Sequence, residues 1–390
     1  MSARGGFTLA ELLIAGTLVL LLMAGLAAVV DPSHATASAQ AAATDVRLRL
    51  RAASEAIAAE LHGAGSGPAS GVYGRPLGGF TPAVLPRRLG SRGDPPGVAL
   101  PDALTVIATA GVATAVQLAA VFFPAAGVAQ IAASPGCPSG DSACGVRVGL
   151  SVVIVDERGQ WDLFTVATVT GASLGLLPRG AISGRPFPAG SLLIPVDVVC
   201  FFLRRGTAEE GLQLMTGDGD QWELPLVDHL TGLTFDLLGD PRPPRLGSAG
   251  GPSPSAATYG PNPPPLGDDT LTDDWPAGEN CTFLAVAGGQ SSRLLALSAG
   301  AGTNLVPLPA SMLTDGPWCP DGSAANRYDA DLLRVRAVRV TIQAEATSGA
   351  ARGADTRLFL HPGSSHDRSG VASDQKVVID VVPRALQAGR

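Results

Sequence analysis

The sequence is poor in charged and aromatic residues, which make up 16% and 5% of its 390 residues. Lysine is almost absent: Lys376 is the only one, and every other basic side chain is an arginine. A formal net charge of −7 excludes a broadly basic surface, so we expect no nucleic acid among the partners. With 49 glycines and 32 prolines, this composition argues against a helical bundle and favours a β-rich extracellular domain with long loops.

The sequence also lacks the short motifs of common catalytic sites. It contains no H-E-x-x-H, G-x-S-x-G or Walker pattern, and its five histidines are scattered. His361 and His366 lie among serines in HPGSSHDRSG, whose composition is typical of a polar hairpin loop. We therefore predict no catalytic residue, no cofactor and no enzyme activity.

Two kinds of charged cluster are interpreted as solvated turns. Acidic turns could offer oxygens to calcium, but they lack the ligand spacing of an EF-hand, so we predict no metal site. These acids are Asp218, Asp220, Asp268, Asp269, Asp273 and Asp274. The loop 74–96 carries a local basic patch, for which capture of DNA is the less favoured alternative. Its members are Arg75, Arg87, Arg88 and Arg92.

Five cysteines suggest two disulfides if the chain is exported to an oxidising compartment. Cys137 and Cys144 enclose the loop CPSGDSAC, whose proline, glycine and serine favour a tight excursion. Cys281 and Cys319 are the next pair. Cys200 lies in the apolar run VDVVCFFL, where a buried thiol is expected. A zinc site is disfavoured because no C-x-x-C and no nearby histidine accompany these cysteines.

An apolar run extends from Phe7 to Val30, and Glu11 is its only ionisable side chain. As a helix this run would be about 36 Å long, which is enough to cross a hydrocarbon core of about 30 Å. We predict a transmembrane helix over 7–30. A carboxylate is unfavourable in such a helix, so Glu11 calls for a partner or a role.

The start of the chain, GGFTLAELLIAG at residues 5–16, resembles the prepilin-type signal of type IV pilins and type II secretion pseudopilins. The resemblance implies that residues 1–6 are a leader, cut after Gly6 by a prepilin peptidase. Phe7 would become an N-methylated amino terminus, and Glu11 would pair with the terminal amine of a neighbouring subunit during assembly. The alternatives are an ordinary secretory signal, cleaved near the A-T-A of residues 35–37, and an unprocessed membrane anchor.

The fold class predicted for the whole chain is α+β, with a long N-terminal helix packed on a β-rich, pilin-like head. The helix should continue as a stalk over 31–66, with a kink or brief interruption at Asp31-Pro32. The head should cover 67–390, with a solvated proline- and glycine-rich insertion at about 239–278. Strands are predicted at 104–109, 113–123, 146–155, 161–169, 192–204, 282–286, 293–297, 332–344, 356–360 and 377–382, whereas 224–238 is ambiguous.

The carboxyl half is similar to PilW-type minor pilins and the related GspJ-type minor pseudopilins. The similar segments include LPLVDHL, VRAVRVTIQAEA and the terminal VPRAL, in which alanine replaces the usual asparagine. The resemblance implies a minor pilin that takes part in type IV pilus assembly, in a tip or priming complex. A minor pseudopilin of a type II secretion system is the alternative.

The same resemblance implies where the chain resides and what it contacts. It predicts a single-pass protein of the inner membrane with a periplasmic or extracellular head, which joins the filament after assembly. Its expected partners are other major and minor pilins, the prepilin peptidase, the pilus assembly platform, a tip adhesin and membrane lipid.

Overall fold

The architecture is that of a computed structural model, which describes residues 8–67, 76–111, 114–133, 137–156, 159–207, 211–247, 256–267, 274–297, 304–366 and 370–387. One apolar helix at the N-terminus is followed by a large body of antiparallel sheet. The prediction of an N-terminal helix with a β-rich head is thereby confirmed at this level.

The helix, α1, runs without a break from Leu9 to Gly63. Of the kink or brief interruption predicted at Asp31-Pro32, the interruption is not found, because helical backbone continues through both residues. A proline inside a helix removes a single N–H, and the alanine-rich turns on either side favour helix strongly. The helix ends just before Gly65, whose φ of 68° is readily adopted only by glycine.

The body contains strands of very different length. In chain order they are β1 (Val84–Leu85), β2 (Ala103–Thr109), β3 (Val116–Gln117), β4 (Val128–Gln130), β5 (Ser151–Val155), β6 (Trp161–Thr170), β7 (Ser173–Pro178), β8 (Leu192–Arg205), β9 (Leu212–Gly217), β10 (Glu223–Gly239), β11 (Phe283–Val286), β12 (Gly289–Ser292), β13 (Val306–Pro307), β14 (Trp318–Cys319), β15 (Tyr328–Asp329), β16 (Val335–Ala344) and β17 (Gln375–Val381). Short 3₁₀ turns cover Leu77–Gly79, Pro124–Ala126, Ala330–Arg334, Gly349–Ala351 and Arg384–Gln387.

Thirteen of these strands form one sheet, whose main order is β17-β16-β10-β9-β8-β5-β6-β7-β4. The strand β2 lies on the other edge of β8, with β1 beside it. All these pairings are antiparallel, and β11-β12 and β14-β15 form two small separate ladders. The long strand β8 is therefore the central strand of the sheet, and it pairs with β2, β3, β5 and β9.

The second half of α1 packs on β16, β17, β10 and β2. Val46, Leu50, Ala53, Ile57 and Leu61 recur at helical spacing and lie in the main hydrophobic core. The same core also contains small residues from the end of β16 and from the segment between β16 and β17. They are Ala344, Ala346, Ala351 and Ala372. A second core, containing Phe122, Phe164 and Phe187, lies between β4–β7 and the loops beside them.

The stretch predicted as a solvated insertion at 239–278 is partly core. Tyr259 is buried, its hydroxyl donates to the Arg242 carbonyl at 2.7 Å, and the Arg336 guanidinium lies 4.8 Å from its ring. Trp275 donates from Nε1 to the Pro320 carbonyl at 2.7 Å. The expectation that this stretch has little to bury is wrong for its described residues, because two aromatic side chains anchor it.

Two disulfides are present. One joins Cys137 to Cys144, and the other joins Cys281 to Cys319, which ties the segment after the insertion to β14. Cys200 is a buried free thiol whose Sγ lies 3.2 Å from the Thr105 hydroxyl. Burial raises the pKa of this thiol, although its hydrogen bonds act in the opposite direction.

Several predicted strands differ from the observed ones. Residues 293–297 and 356–360 form turns and loops, and of 113–123 only β3 pairs as a strand. The ambiguous stretch 224–238 belongs to one long strand, β10, with irregular register between Pro225 and Leu230. His229 has a φ of 51° within this irregularity, so the turn-like signal in the sequence corresponds to a bulge.

Candidate functional site

The first turns of α1, Leu9–Leu26, are almost wholly apolar, and the head covers none of this window. Leu9–Leu26 is long and apolar enough to span a membrane, and none of this window is buried. Its large aliphatic side chains are 54–80% exposed. An exposed apolar surface of this size requires lipid or other protein as its surroundings.

A capping box closes the N-terminus of α1. The Glu11 backbone N–H donates to the Thr8 hydroxyl at 3.3 Å. In return, the Glu11 carboxylate accepts from the Thr8 backbone N–H at 2.9 Å and from its hydroxyl at 3.0 Å. Glu11 therefore has a local partner at the start of its own helix. The predicted cleavage and methylation residues, Gly6 and Phe7, lie outside the described residues.

The role of Thr8 was not predicted, although the sequence contains the signal. T-x-x-E immediately before an apolar run is the pattern of a capping box, here Thr8-Leu9-Ala10-Glu11. A carboxylate in the first helical turn is also stabilised by the unpaired N–H groups there. The arrangement holds one acidic group at the tip of an otherwise apolar rod, where it can accept hydrogen bonds or pair with a cation.

Arg49 fixes the second half of α1 to the head. Its guanidinium donates to the Asp228 carbonyl at 3.0 Å and to the Glu345 carbonyl at 2.9 Å. An ion pair with Asp45 at 2.9 Å holds the side chain from within the helix. These contacts occupy the place where the β10 bulge meets the end of β16, so one arginine satisfies backbone carbonyls from two strands.

His361 of the histidine loop lies against a buried acid. His361 Nδ1 lies 2.9 Å from the buried Glu345 carboxylate, which also pairs with Arg352 at 2.8 Å. His366 is exposed. Within the described part of the chain, no three histidine, cysteine or acidic side chains come together as metal ligands would.

Asp218 and Asp220, considered above as calcium ligands, face an arginine. Arg179 pairs with the Asp220 carboxylate and lies 3.6 Å from that of Asp218. Burial favours the neutral acid, but hydrogen bonds from Ser91 and Arg179 outweigh it and hold the pKa of Asp220 below its usual value. Asp274 accepts from the Ser323 backbone N–H, whereas Asp268, Asp269 and Asp273 lie outside the described residues.

The described members of the predicted basic patch differ in exposure. Arg87 is buried, and burial lowers its pKa to about 10. Arg88 pairs with Asp94 at 2.7 Å and lies 4.8 Å from the Phe202 ring. Only Arg92 remains exposed among the described members, since Arg75 falls outside them. Two of the described arginines are therefore engaged within the head.

No protein-family model, no curated protein and no solved structure matches this chain.

Proposed function

We propose that this chain is a minor pilin, anchored in the inner membrane and assembled into a type IV pilus through α1. The observation that carries the proposal is the division of α1: Leu9–Leu26 is wholly uncovered, whereas the half beyond it is built into the head. The prepilin-like GGFTLAELLIAG at its start supports the same conclusion.

In this proposal the uncovered half has two successive environments. Before assembly it spans the membrane, and after assembly it packs against the helices of other subunits in the filament. After cleavage behind Gly6, the Phe7 amine of one subunit would pair with Glu11 of the next. In a low-dielectric filament core such a pair is strong, and a misplaced subunit would leave a charge unpaired, so the pair sets the register.

The capping box adds a competing partner for Glu11. While the subunit is stored, Thr8 holds the carboxylate against its own helix start, and pairing with a neighbour requires the carboxylate to leave at least part of this contact. The exchange replaces hydrogen bonds from neutral donors by an ion pair with an ammonium group, in which both partners carry a charge.

The size of the head supports a place at or near the filament tip. A sheet of thirteen strands with two cores is bulky for a subunit that must be surrounded on all sides. At the tip it would contact other minor pilins below and leave its outer face open to an adhesin.

The test combines processing and assembly in cells that carry the pilus machinery. Mass spectrometry of the mature protein should find an N-terminus at Phe7 with one added methyl group, and Gly6→Val should prevent cleavage. Glu11→Val should insert into membranes at least as well as the wild type, but its recovery in sheared pili should fall at least tenfold.

Glu55→Val is the matched control, because Glu55 is an exposed acid on the packed half of the same helix. It should enter pili normally. Equal recovery of Glu11→Val and the control, or a native protein that keeps residues 1–6, would overturn the proposal.

A further inference from the structure

The sheet divides at β8. On one edge of this strand, β5 pairs with residues up to Val196 and β9 pairs from Cys200 onward. The opposite edge is occupied by β2 along the same stretch, so β5 and β9 share one edge with a gap between them. We call β9-β10-β16-β17 the helix branch, since α1 packs on it, and β5-β6-β7-β4 the outer branch.

Arg179 lies at this division and contacts both branches. It follows β7 directly, and its side chain is only 5% exposed. On the outer branch it donates to the hydroxyl of Ser151, the first residue of β5. On the helix branch it donates to the Asp218 carbonyl and pairs with Asp220, both in the β9–β10 turn.

A third segment closes the cluster. The Ser91 backbone N–H donates to the Asp220 carboxylate, and the Arg92 N–H donates to the Gly219 carbonyl at 3.0 Å. Asp218 in turn accepts from backbone N–H groups of its own turn, including that of Gln221 at 2.9 Å. Backbone N–H groups of two loops therefore orient the two carboxylates, independently of Arg179.

The backbones meet too closely for side chains. A Cβ at Gly219 would lie 1.7 Å from the Leu89 carbonyl oxygen, and one at Gly180 would lie 2.9 Å from the Gly90 oxygen. Gly219 and Gly180 also have φ values near 80°, which glycine adopts readily. Three loops from distant parts of the chain are therefore shaped to converge on this one arginine.

We propose that Arg179, Asp218 and Asp220 form a clasp that fixes the angle between the helix branch and the outer branch. Opening the clasp leaves two carboxylates without their cation in a largely buried site, which is strongly unfavourable. Val153 and Leu163 of the outer branch also enter the main core. The two branches consequently stay attached when the clasp opens, and only the angle between them changes.

The clasp decides how a displacement passes through the head, whatever the function of the helix. With the clasp closed, displacement of α1 carries the outer branch and its Phe122 core along as one body. With the clasp open, the outer branch moves about β8 while the helix branch keeps its packing.

The test uses the full chain in detergent micelles, with spin labels at Thr170→Cys on β6 and Lys376→Cys on β17, both exposed. Pulsed electron resonance should give one narrow distance distribution for this labelled background and a distribution at least twice as wide after Arg179→Met. Hydrogen exchange in the β9–β10 turn should become at least tenfold faster. Arg51→Met, which removes an exposed ion pair with Glu55, is the control and should change neither measurement.

A second variant covers the case in which Arg179→Met does not fold. Asp220→Asn keeps an oxygen for the Ser91 N–H and removes only the charge that faces Arg179. It should give the same broadening to a smaller degree. An unchanged distance distribution in a folded variant of either kind would overturn the proposal.

Discussion

The two halves of α1 belong to one unbroken helix but have opposite surroundings. In Leu9–Leu26 every large side chain is exposed, whereas Val46, Leu50, Ile57 and Leu61 are at most 5% exposed. The more apolar half is the uncovered one. Burial in this molecule is therefore decided by pattern: a one-sided stripe fits the sheet, whereas a helix that is apolar all round needs partners on every side.

This difference predicts that the stability of the head and the assembly of the chain depend on different halves of α1. Substitutions in the packed half should act on the folded head, and substitutions in the uncovered half should act on what the helix joins. The predictions below test that separation, beginning with the largest expected effect.

Ile57→Ala should destabilise the head strongly, because the side chain is fully buried and the cavity cannot be filled by solvent. We expect a loss of about 2–5 kcal/mol in the free energy of unfolding. Guanidinium unfolding followed by tryptophan fluorescence measures it. Leu20→Ala removes a comparable side chain from the uncovered half and should leave the midpoint unchanged. A similar loss in both variants would remove the distinction between the halves.

Arg49→Met should cost about 1–3 kcal/mol, because it leaves the Asp228 and Glu345 carbonyls without their donor. The same unfolding experiment applies. Arg47→Met is the control, since Arg47 is an exposed arginine two residues away. If Arg49→Met and Arg47→Met unfold at the same guanidinium concentration, Arg49 does not hold the helix to the head.

Lowering the pH from 8 to 6 should stabilise the head and leave the uncovered half unaffected. Burial raises the pKa of Asp162 to about 7, although hydrogen bonds from Ser183 oppose the shift. The unfolded chain has this acid ionised at any pH well above 4, whereas the folded protein protonates it near 7. Stability therefore falls as the pH rises through 7.

From pH 6 to pH 8 we expect Asp162 to contribute a loss of about 1 kcal/mol. Burial raises the pKa of Asp329 to about 7 as well, so Asp162→Asn should reduce this dependence without abolishing it. Unfolding midpoints at several pH values measure the effect. A pH dependence that Asp162→Asn leaves intact would contradict the assignment.

Thr8→Ala should have the smallest effect, confined to the first turn of α1. Loss of the cap should weaken that turn by roughly 0.5–1 kcal/mol, seen as faster hydrogen exchange at residues 11 and 12 in micelles. Thr8→Ser keeps the hydroxyl and should behave as wild type. If Thr8→Ala altered the unfolding midpoint of the head, the two halves would not be independent.

Sequence patterns were informative where one local rule decides the structure. An apolar run with a single acid indicates a helix wherever it lies, and a regular stripe such as Val46 to Leu61 indicates which face is buried. Prediction was weaker where partners come from far along the chain. The prolines and glycines around Tyr259 indicated a solvated loop, yet Arg336, almost eighty residues away, stacks on that ring.

The residues of the candidate site also differ in how far local sequence predicts their role. Glu11 stood out by its chemistry, and the Thr8 cap was readable from its spacing but was not predicted. Asp218 and Asp220 gave no indication of their partner, because Arg179 precedes them by about forty residues and meets them only through the arrangement of β7, β8 and β9. The basic loop misled for the same reason: nothing local shows that Arg87 is buried.

Because α1 is continuous, it also sets the distance between the membrane-spanning part of the helix and the head. Between Val30, where the apolar run ends, and Ala39, a buried residue of α1, about nine residues of helix extend for roughly 14 Å. The lipid headgroup layer is only about 5–8 Å thick on each side. With this helix upright in a bilayer, Ala39 would therefore lie beyond the headgroup layer on its side of the membrane.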